Sequence, residues 1–217
     1  MPTTDAQALA EQLLLGRYRV LETRGEGGFG TVYVCWDPRL MRRVAIKSIR
    51  LKPQAPQGSL VEGMPDYLSD ARRSALLRAA LDETRTASML PHPNIVQMIE
   101  FDNDDEHAYI IMEYVGGASL AELLDATEDG LLTADEAAAV VEGVCDALEF
   151  AHDNGVLHLD IKPDNIMVDM SGRVKLADFG MATLSSMTGY SGARGGTVGY
   201  MPPEQAEGGE VDVRTDV

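Results

Sequence analysis

His158 to Gly180 reads HLDIKPDNIMVDMSGRVKLADFG. Two acidic triplets bracket it, His158-Leu159-Asp160 and Asp178-Phe179-Gly180, and the first opens into D-x-K-P-x-N, which holds Asp160, Lys162 and Asn165 in one loop. Ile166–Val168 and Val174–Leu176 are short apolar runs separated by the turn residues Asp169 to Gly172, a pattern that predicts a β-hairpin. A hairpin carries its flanking residues to one edge, so both triplets can face a single ligand. Two carboxylates, an amide oxygen and an ammonium gathered there suit metal-bound phosphate chemistry. Mg²⁺ prefers oxygen ligands and keeps substrate phosphates in its shell.

Toward the N-terminus, Tyr18–Leu21 leads into GEGGFG, Thr31–Cys35 alternates into a second strand, and Val44-Ala45-Ile46-Lys47 reads as a third. Gly25, Gly27 and Gly30 satisfy G-x-G-x-x-G. Dinucleotide-binding domains share that spacing but set it between a strand and a helix, whereas β-branched residues follow it here. Glycine serves because a Cβ would hold a phosphate away from the backbone.

Further on, Leu76, Ala79, Ala80 and Glu83 keep helical i, i+3, i+4, i+7 spacing, which puts Glu83 on the apolar stripe and leaves Asp82 off it. Lys52 to Asp66, rich in Pro, Gln and Gly, reads as a loop insertion, with Ser69 positioned to cap the helix after it. Pro91–Val96 ends that helix and starts a strand, with His92 as a turn or packing residue. Ile95–Phe101 and Ala108–Tyr114 form a hairpin around the acidic turn Asp102–Glu106. Gly116-Gly117 suits a mobile connector and sets a boundary at Val115/Gly116. Beyond it, Ser119-x-x-Glu122 and Thr133-x-x-Glu136 are capping boxes. The second helix carries Ala137, Val140, Val141, Val144, Leu148 and Ala151 on one face and stops at Asn154-Gly155.

Taken together, D-x-K-P-x-N, D-F-G, the glycine pattern and V-A-I-K resemble the catalytic loop, metal-binding segment, glycine-rich loop and phosphate lysine of protein kinases, in the bacterial serine/threonine style. The resemblance implies an α+β, two-lobe fold after a lead-in over residues 1–16. A five-stranded antiparallel sheet with one helix would form the first lobe, residues 17–115. A mainly helical, incomplete lobe would follow over 116–217, with ATP between them. It implies that Asp160 accepts the substrate hydroxyl proton, that Lys162 neutralises the transferring phosphate, and that Asn165 and Asp178 hold Mg²⁺. Lys47 would grip the α- and β-phosphates and pair with Glu83, whose inward carboxylate needs a cation. Gly25, Gly27 and Gly30 would cover the phosphates. Val32, Ala45 and Met167 would enclose the adenine, Met112 would stand beside it, and the backbones of Glu113 and Val115 would bind its edge. Lys162, two residues after the base, favours serine or threonine acceptors over tyrosine.

Thr183, Ser185, Ser186, Thr188 and Ser191 lie in a plain loop or a phosphorylated activation segment. Thr197, in G-T-x-x-Y-x-x-P-E, would touch Asp160 or Lys162. The sequence departs from the family at Leu159, where an arginine that pairs with activation-loop phosphate is usual, so control by loop phosphorylation is not expected. Pro202 also replaces a small residue before Pro203-Glu204. Such kinases continue past Asp216 in a buried helix, so the partner of Glu204 and the support beneath the catalytic loop are expected outside the chain.

The chain has 217 residues, 45% hydrophobic and 24% charged, with a formal net charge of −17. That is ordinary for a globular protein and disfavours nonspecific nucleic-acid binding. Residues 1–115 hold 13 Lys/Arg against 16 Asp/Glu, while 116–217 hold 5 against 19. The acidic second half suits a solvated surface, or protein substrates with basic segments near the acceptor. Cys35 and Cys145 suggest no disulfide framework and read as packing residues. No apolar run reaches the roughly 18 residues of a membrane span, and residues 1–16, with Leu9, Leu13 and Leu14, read as an amphipathic lead-in, not a signal peptide. A cytoplasmic location is the default expectation. Two rivals remain: a nucleotide-binding pseudokinase or inactive fragment acting as a regulatory module, and a small-molecule phosphotransferase.

Overall fold

Apolar residues at every second position build the first sheet. Val44 and Ile46 are fully buried on one face of their strand and cluster with Leu14, Tyr18, Val20, Cys35, Tyr109 and Ile111. The structure is a computed structural model that describes residues 13–27, 30–51, 66–179 and 198–217, without the side chains of residues 26, 66–69, 72, 83 and 198. It divides into two units, Met1–Thr84 with Met98–Tyr114, and Arg85–Gln97 with Val115–Val217.

In the first unit the described strands are β1 (Leu13–Leu14), β2 (Tyr18–Gly27), β3 (Gly30–Asp37), β4 (Arg42–Arg50), β5 (Met98–Asn103) and β6 (His107–Glu113). They form one antiparallel sheet in the order β1-β2-β3-β4-β6-β5. The expected five strands are all present, and β1 adds a two-residue edge. In β1 Leu14 is buried and Leu13 is 55% exposed, and Leu15 after it is partly buried against the same core cluster. Strand β5 starts at Met98 and not at Ile95. The backbone of Ile95 instead makes an isolated parallel bridge to Leu176 within the second unit.

Helix α1 (Asp66–Ser88) buries Leu76, Ala80, Thr84 and Ala87. Glu83 takes a helical position on that stripe, and Asp82 is exposed, as its place off the stripe requires. Because the helix starts at Asp66, Ser69 lies within it and is not its cap. Of the expected insertion from Lys52 to Asp66, Asp66 already belongs to α1, and residues 52–65 lie outside the described residues.

The second unit carries a smaller sheet, β7 (Gly117–Ser119), β8 (Ile166–Asp169) and β9 (Val174–Leu176), in that order. The β8–β9 hairpin is the one expected, with Ile166 opposite Leu176 and Met167 opposite Lys175. Its turn is held by one side chain. The Asp169 carboxylate accepts the backbone N–H groups of Ser171 and Arg173 at 2.8 and 3.0 Å, the Ser171 hydroxyl at 2.6 Å and Arg173 Nε at 2.9 Å. These four donors hold its pKa well below the usual carboxylate range.

Strand β7 takes Gly117 out of the expected Gly116-Gly117 connector, while Gly116 lies at a bend just before the strand. Gly117 pairs with Asp169, and a Cβ at Gly117 would lie 1.9 Å from the Val168 carbonyl oxygen. Glycine stands there because two backbones meet, not because the chain bends. Three small residues give no period-two signal, so the strand was not readable from sequence.

Helices α2 (Leu120–Ala126) and α3 (Ala134–Asp153) start at the expected caps. Ser119 and Thr133 each accept the N3 backbone N–H, and Glu122 and Glu136 each return a bond to the cap backbone. Helix α3 ends where Asn154-Gly155 predicts, with the N–H groups of Gly155 and Val156 on the carbonyls of His152 and Ala151. Its buried positions are Gly143, Ala147, Leu148 and Ala151. Val141 is 59% exposed, whereas Ala137, Val140 and Val144 on the same expected face are half-buried. Cys145 is exposed too, contrary to its reading as a packing residue, because it lies about 200° around the helix from Ala147. Cys35 is buried, which pushes its thiol pKa up to about 12. His92 does act as a turn and packing residue: Nδ1 accepts the Asn94 N–H and the ring stacks on Phe150. Among the described residues no helix is long and apolar enough to cross a membrane.

Candidate active site

The first unit sets a row of the expected nucleotide-binding residues on one sheet face. Along β4, Ala45 and Lys47 face away from Val44 and Ile46. Register puts Val32 and Ile110 on either side of Lys47, and Val34 and Met112 on either side of Ala45. Val32, Ala45, Lys47 and Met112 therefore share a face. Lys47 is 5% exposed, and a buried ammonium requires compensating acceptors. The Glu83 side chain expected to supply one lies outside the described residues.

On the glycine-rich hairpin, Gly25 pairs with Val32 and Gly27 with Gly30. Gly30 has φ +125°, and a Cβ there would lie 1.8 Å from the Ser48 carbonyl oxygen, so no other residue fits without movement. Glu113 ends β6 opposite Val44.

In the second unit the residues expected in the catalytic loop converge. Lys162 Nζ lies 2.8 Å from Asp160 Oδ2, with both side chains mostly buried. Asn165 donates its side-chain amide to the Asp160 backbone carbonyl at 2.8 Å and to Asp160 Oδ2 at 3.0 Å. The Asn165 carbonyl accepts the Ala177 N–H at 2.8 Å, so the loop lies against the segment that enters Asp178. Met167 is half-buried in β8, opposite Ser119 and Lys175. Val115 is half-buried, and its carbonyl accepts the Gly117 N–H.

His158 ties the two triplets together. It is fully buried; Nδ1 accepts the Asp160 N–H at 3.2 Å, so Nε2 carries the proton and donates to the Ala177 carbonyl at 2.8 Å. Phe179 meets the ring edge-on at 4.7 Å. Burial drives the His158 pKa below its ordinary 6.5, against the Ala177 bond and the nearby charges of Asp216, Asp160 and Asp178. The ring is a neutral strut between the loop and the D-F-G segment.

Leu159 and Asp178 both have left-handed backbone, φ +63° and +64°. Asp tolerates that region, whereas for Leu it costs on the order of 1 kcal/mol or more. The Leu159 conformation is held by groups that sequence reasoning missed. Asp216, 5% exposed, accepts the N–H of His158 at 2.8 Å and of Leu159 at 2.6 Å, and His152 Nε2 lies 2.9 Å from the same carboxylate. Gln205 donates to the Leu159 carbonyl at 3.0 Å. These side chains bond to backbone far away in sequence, and no spacing or period announces that. Support expected from outside the chain is thus supplied in part by Asp216. Thr197 and the residues from Thr183 to Ser191 lie outside the described residues.

Asn165 donates through Nδ2, which leaves Oδ1 as its acceptor. With the Asp178 carboxylate this is an all-oxygen donor set, suited to a hard cation that keeps phosphate and water in its shell. Among the described residues no three His, Cys, Asp or Glu side chains group to hold a metal.

Residues 18–217 match the family described as Protein kinase domain. The chain is 38% identical over 204 residues to the serine/threonine-protein kinase PrkC of Bacillus subtilis, covering 93% of this chain and 28% of that protein. It is 36% identical over 211 residues to the serine/threonine-protein kinase PknB of Mycobacterium leprae, covering 94% and 31%. The chain therefore spans about three-tenths of the length of these curated relatives. Among solved structures, the PknI kinase domain of Mycobacterium tuberculosis aligns with a TM-score of 0.66 and 28% identity, over 92% of this chain and 67% of that one. With the loop, the hairpin and the glycine-rich strands in family order, the chain belongs to the protein kinase domain family.

Proposed function

We propose that this chain transfers the γ-phosphate of ATP to serine or threonine hydroxyls of proteins. The observation that carries the reading is the Asp160 carboxylate, bridged by the Lys162 ammonium and the Asn165 amide within one loop. Phosphoryl transfer asks the protein mainly for positioning and charge stabilisation, and a carboxylate fixed from two sides supplies the first.

In this reading Asp160 accepts the proton of the acceptor hydroxyl, and Lys162 offsets charge on the transferring group. Lys47, with Glu83, orients the α- and β-phosphates beneath Gly25, Gly27 and Gly30. Asn165 Oδ1 and Asp178 hold Mg²⁺, which when bound neutralises phosphate charge. The adenine is assigned to the side chains of Val32, Ala45, Met112 and Met167 and to the backbones of Glu113 and Val115. Substrates with basic residues near the acceptor suit the excess of 19 acidic over 5 basic residues in 116–217. A reducing, ATP-containing compartment, the cytoplasm, suits the two free thiols.

The test is phosphate transfer from labelled ATP with Mg²⁺ to a basic protein, wild type beside Asp160→Asn. Loss of the base should lower the rate about 10²–10⁴-fold. Equal label in both proteins refutes the assignment. Transfer to an aminoglycoside or choline in place of protein would favour the small-molecule reading.

A further inference from the structure

The peptide plane that leads into Asp160 has both polar ends occupied. Its N–H, on Asp160, donates to His158 Nδ1 at 3.2 Å, and its carbonyl, on Leu159, accepts Gln205 Nε2 at 3.0 Å. The preceding plane is fixed by Asp216 through the Leu159 N–H. Between these planes lies Leu159 at φ +63°, a conformation a leucine leaves unless it is held.

Gln205 reaches this carbonyl from helix α4 (Pro203–Ala206). Its side chain is half-buried, and the helix is closed by the Ala206 and Glu207 N–H groups on the Pro202 and Pro203 carbonyls. A hydrogen bond to one peptide oxygen 46 positions away fixes a rotation. Turning the Leu159–Asp160 plane would swing the Asp160 Cα–Cβ bond away from Lys162 and Asn165, which hold its carboxylate.

We propose that Gln205 is a positioning residue for phosphoryl transfer. By holding the Leu159 carbonyl it keeps the left-handed turn that aims Asp160, at a position where the sequence has no arginine to recruit a phosphate for that task. The inference rests on the kinase reading. Orientation of a reacting group is worth large rate factors, and a shift of about 1 Å costs on the order of 10²-fold.

The experiment compares wild type with Gln205→Met, which keeps the length and removes the donor, and Gln205→Glu, which sets an acceptor against the carbonyl. Measured are kcat, the KM for ATP, the unfolding midpoint, and amide hydrogen exchange over residues 158–161. Both variants should lose about tenfold or more in kcat, with KM for ATP and the unfolding midpoint close to wild type. Exchange at the Asp160 amide should quicken about tenfold. Wild-type kcat in Gln205→Met, or a loss matched by a fall in unfolding midpoint, overturns the proposal. If wild type and Asp160→Asn transfer equally, the kinase reading fails and the catalytic role of Gln205 with it; the exchange measurement then still decides separately whether Gln205 fixes the loop.

Discussion

Asp216 accepts the Leu159 N–H at 2.6 Å through one carboxylate oxygen and the His158 N–H at 2.8 Å through the other, although 57 and 58 positions separate them in the chain. Replacing Asp216 by alanine leaves two backbone donors without an acceptor in a buried place, at about 1–3 kcal/mol each. The expected loss for Asp216→Ala is about 3 kcal/mol in urea unfolding. Asp216→Asn keeps one acceptor oxygen and should fall between that variant and wild type. An alanine variant as stable as wild type would mean that water replaces the carboxylate.

The neutral state of His158 makes stability depend on pH. Its folded pKa is depressed by burial, so between that value and 6.5 the unfolded chain binds a proton that the folded chain does not. This contribution destabilises the fold as pH falls below about 6.5 and is absent above it. Urea midpoints at pH 7.5 and 5.5 should diverge more in wild type than in His158→Asn. Parallel behaviour in the two proteins would argue that the ring is protonated in place.

Gly117→Ala tests the crossing of β7 and β8. With the added carbon 1.9 Å from the Val168 carbonyl oxygen, the strands must separate or the backbone must shift. The expected destabilisation is about 2–4 kcal/mol, at the upper end for point changes. A change under about 0.5 kcal/mol would show that β7 yields without loss.

Thr133→Ala removes the acceptor for the Glu136 N–H at the start of α3 and should cost about 1 kcal/mol. Ser119→Ala at α2 should cost a similar amount by the same loss. The two sites share no partner, so the double variant should be additive within about 0.5 kcal/mol.

These caps were legible because each signal is local: a hydroxyl and a carboxylate three positions apart are also partners in space. The β8–β9 hairpin and the alternation of β4 were readable for the same reason. Asp160, Lys162 and Asn165 fall within six residues, and the structure gathers them. Not legible were Asp216, His152 and Gln205, whose partners lie 46 to 64 positions away and are mostly backbone atoms without side-chain identity. Glycine at 117 was ambiguous, since a bend and a close approach require the same residue. The outward position of Val141 could not be read either, because the helical period gives a face and not what covers it.

The turn at Asp169 has a consequence for how the protein assembles. Its four bonds to Ser171 and Arg173 span no more than four positions, so they form without waiting for distant chain. Hairpins of this size close in about 1–10 μs. The segments that carry Asn165 and Asp178 therefore become neighbours early. Closure of the far longer loop between Leu159 and Asp216 is left as a late, entropically costly event.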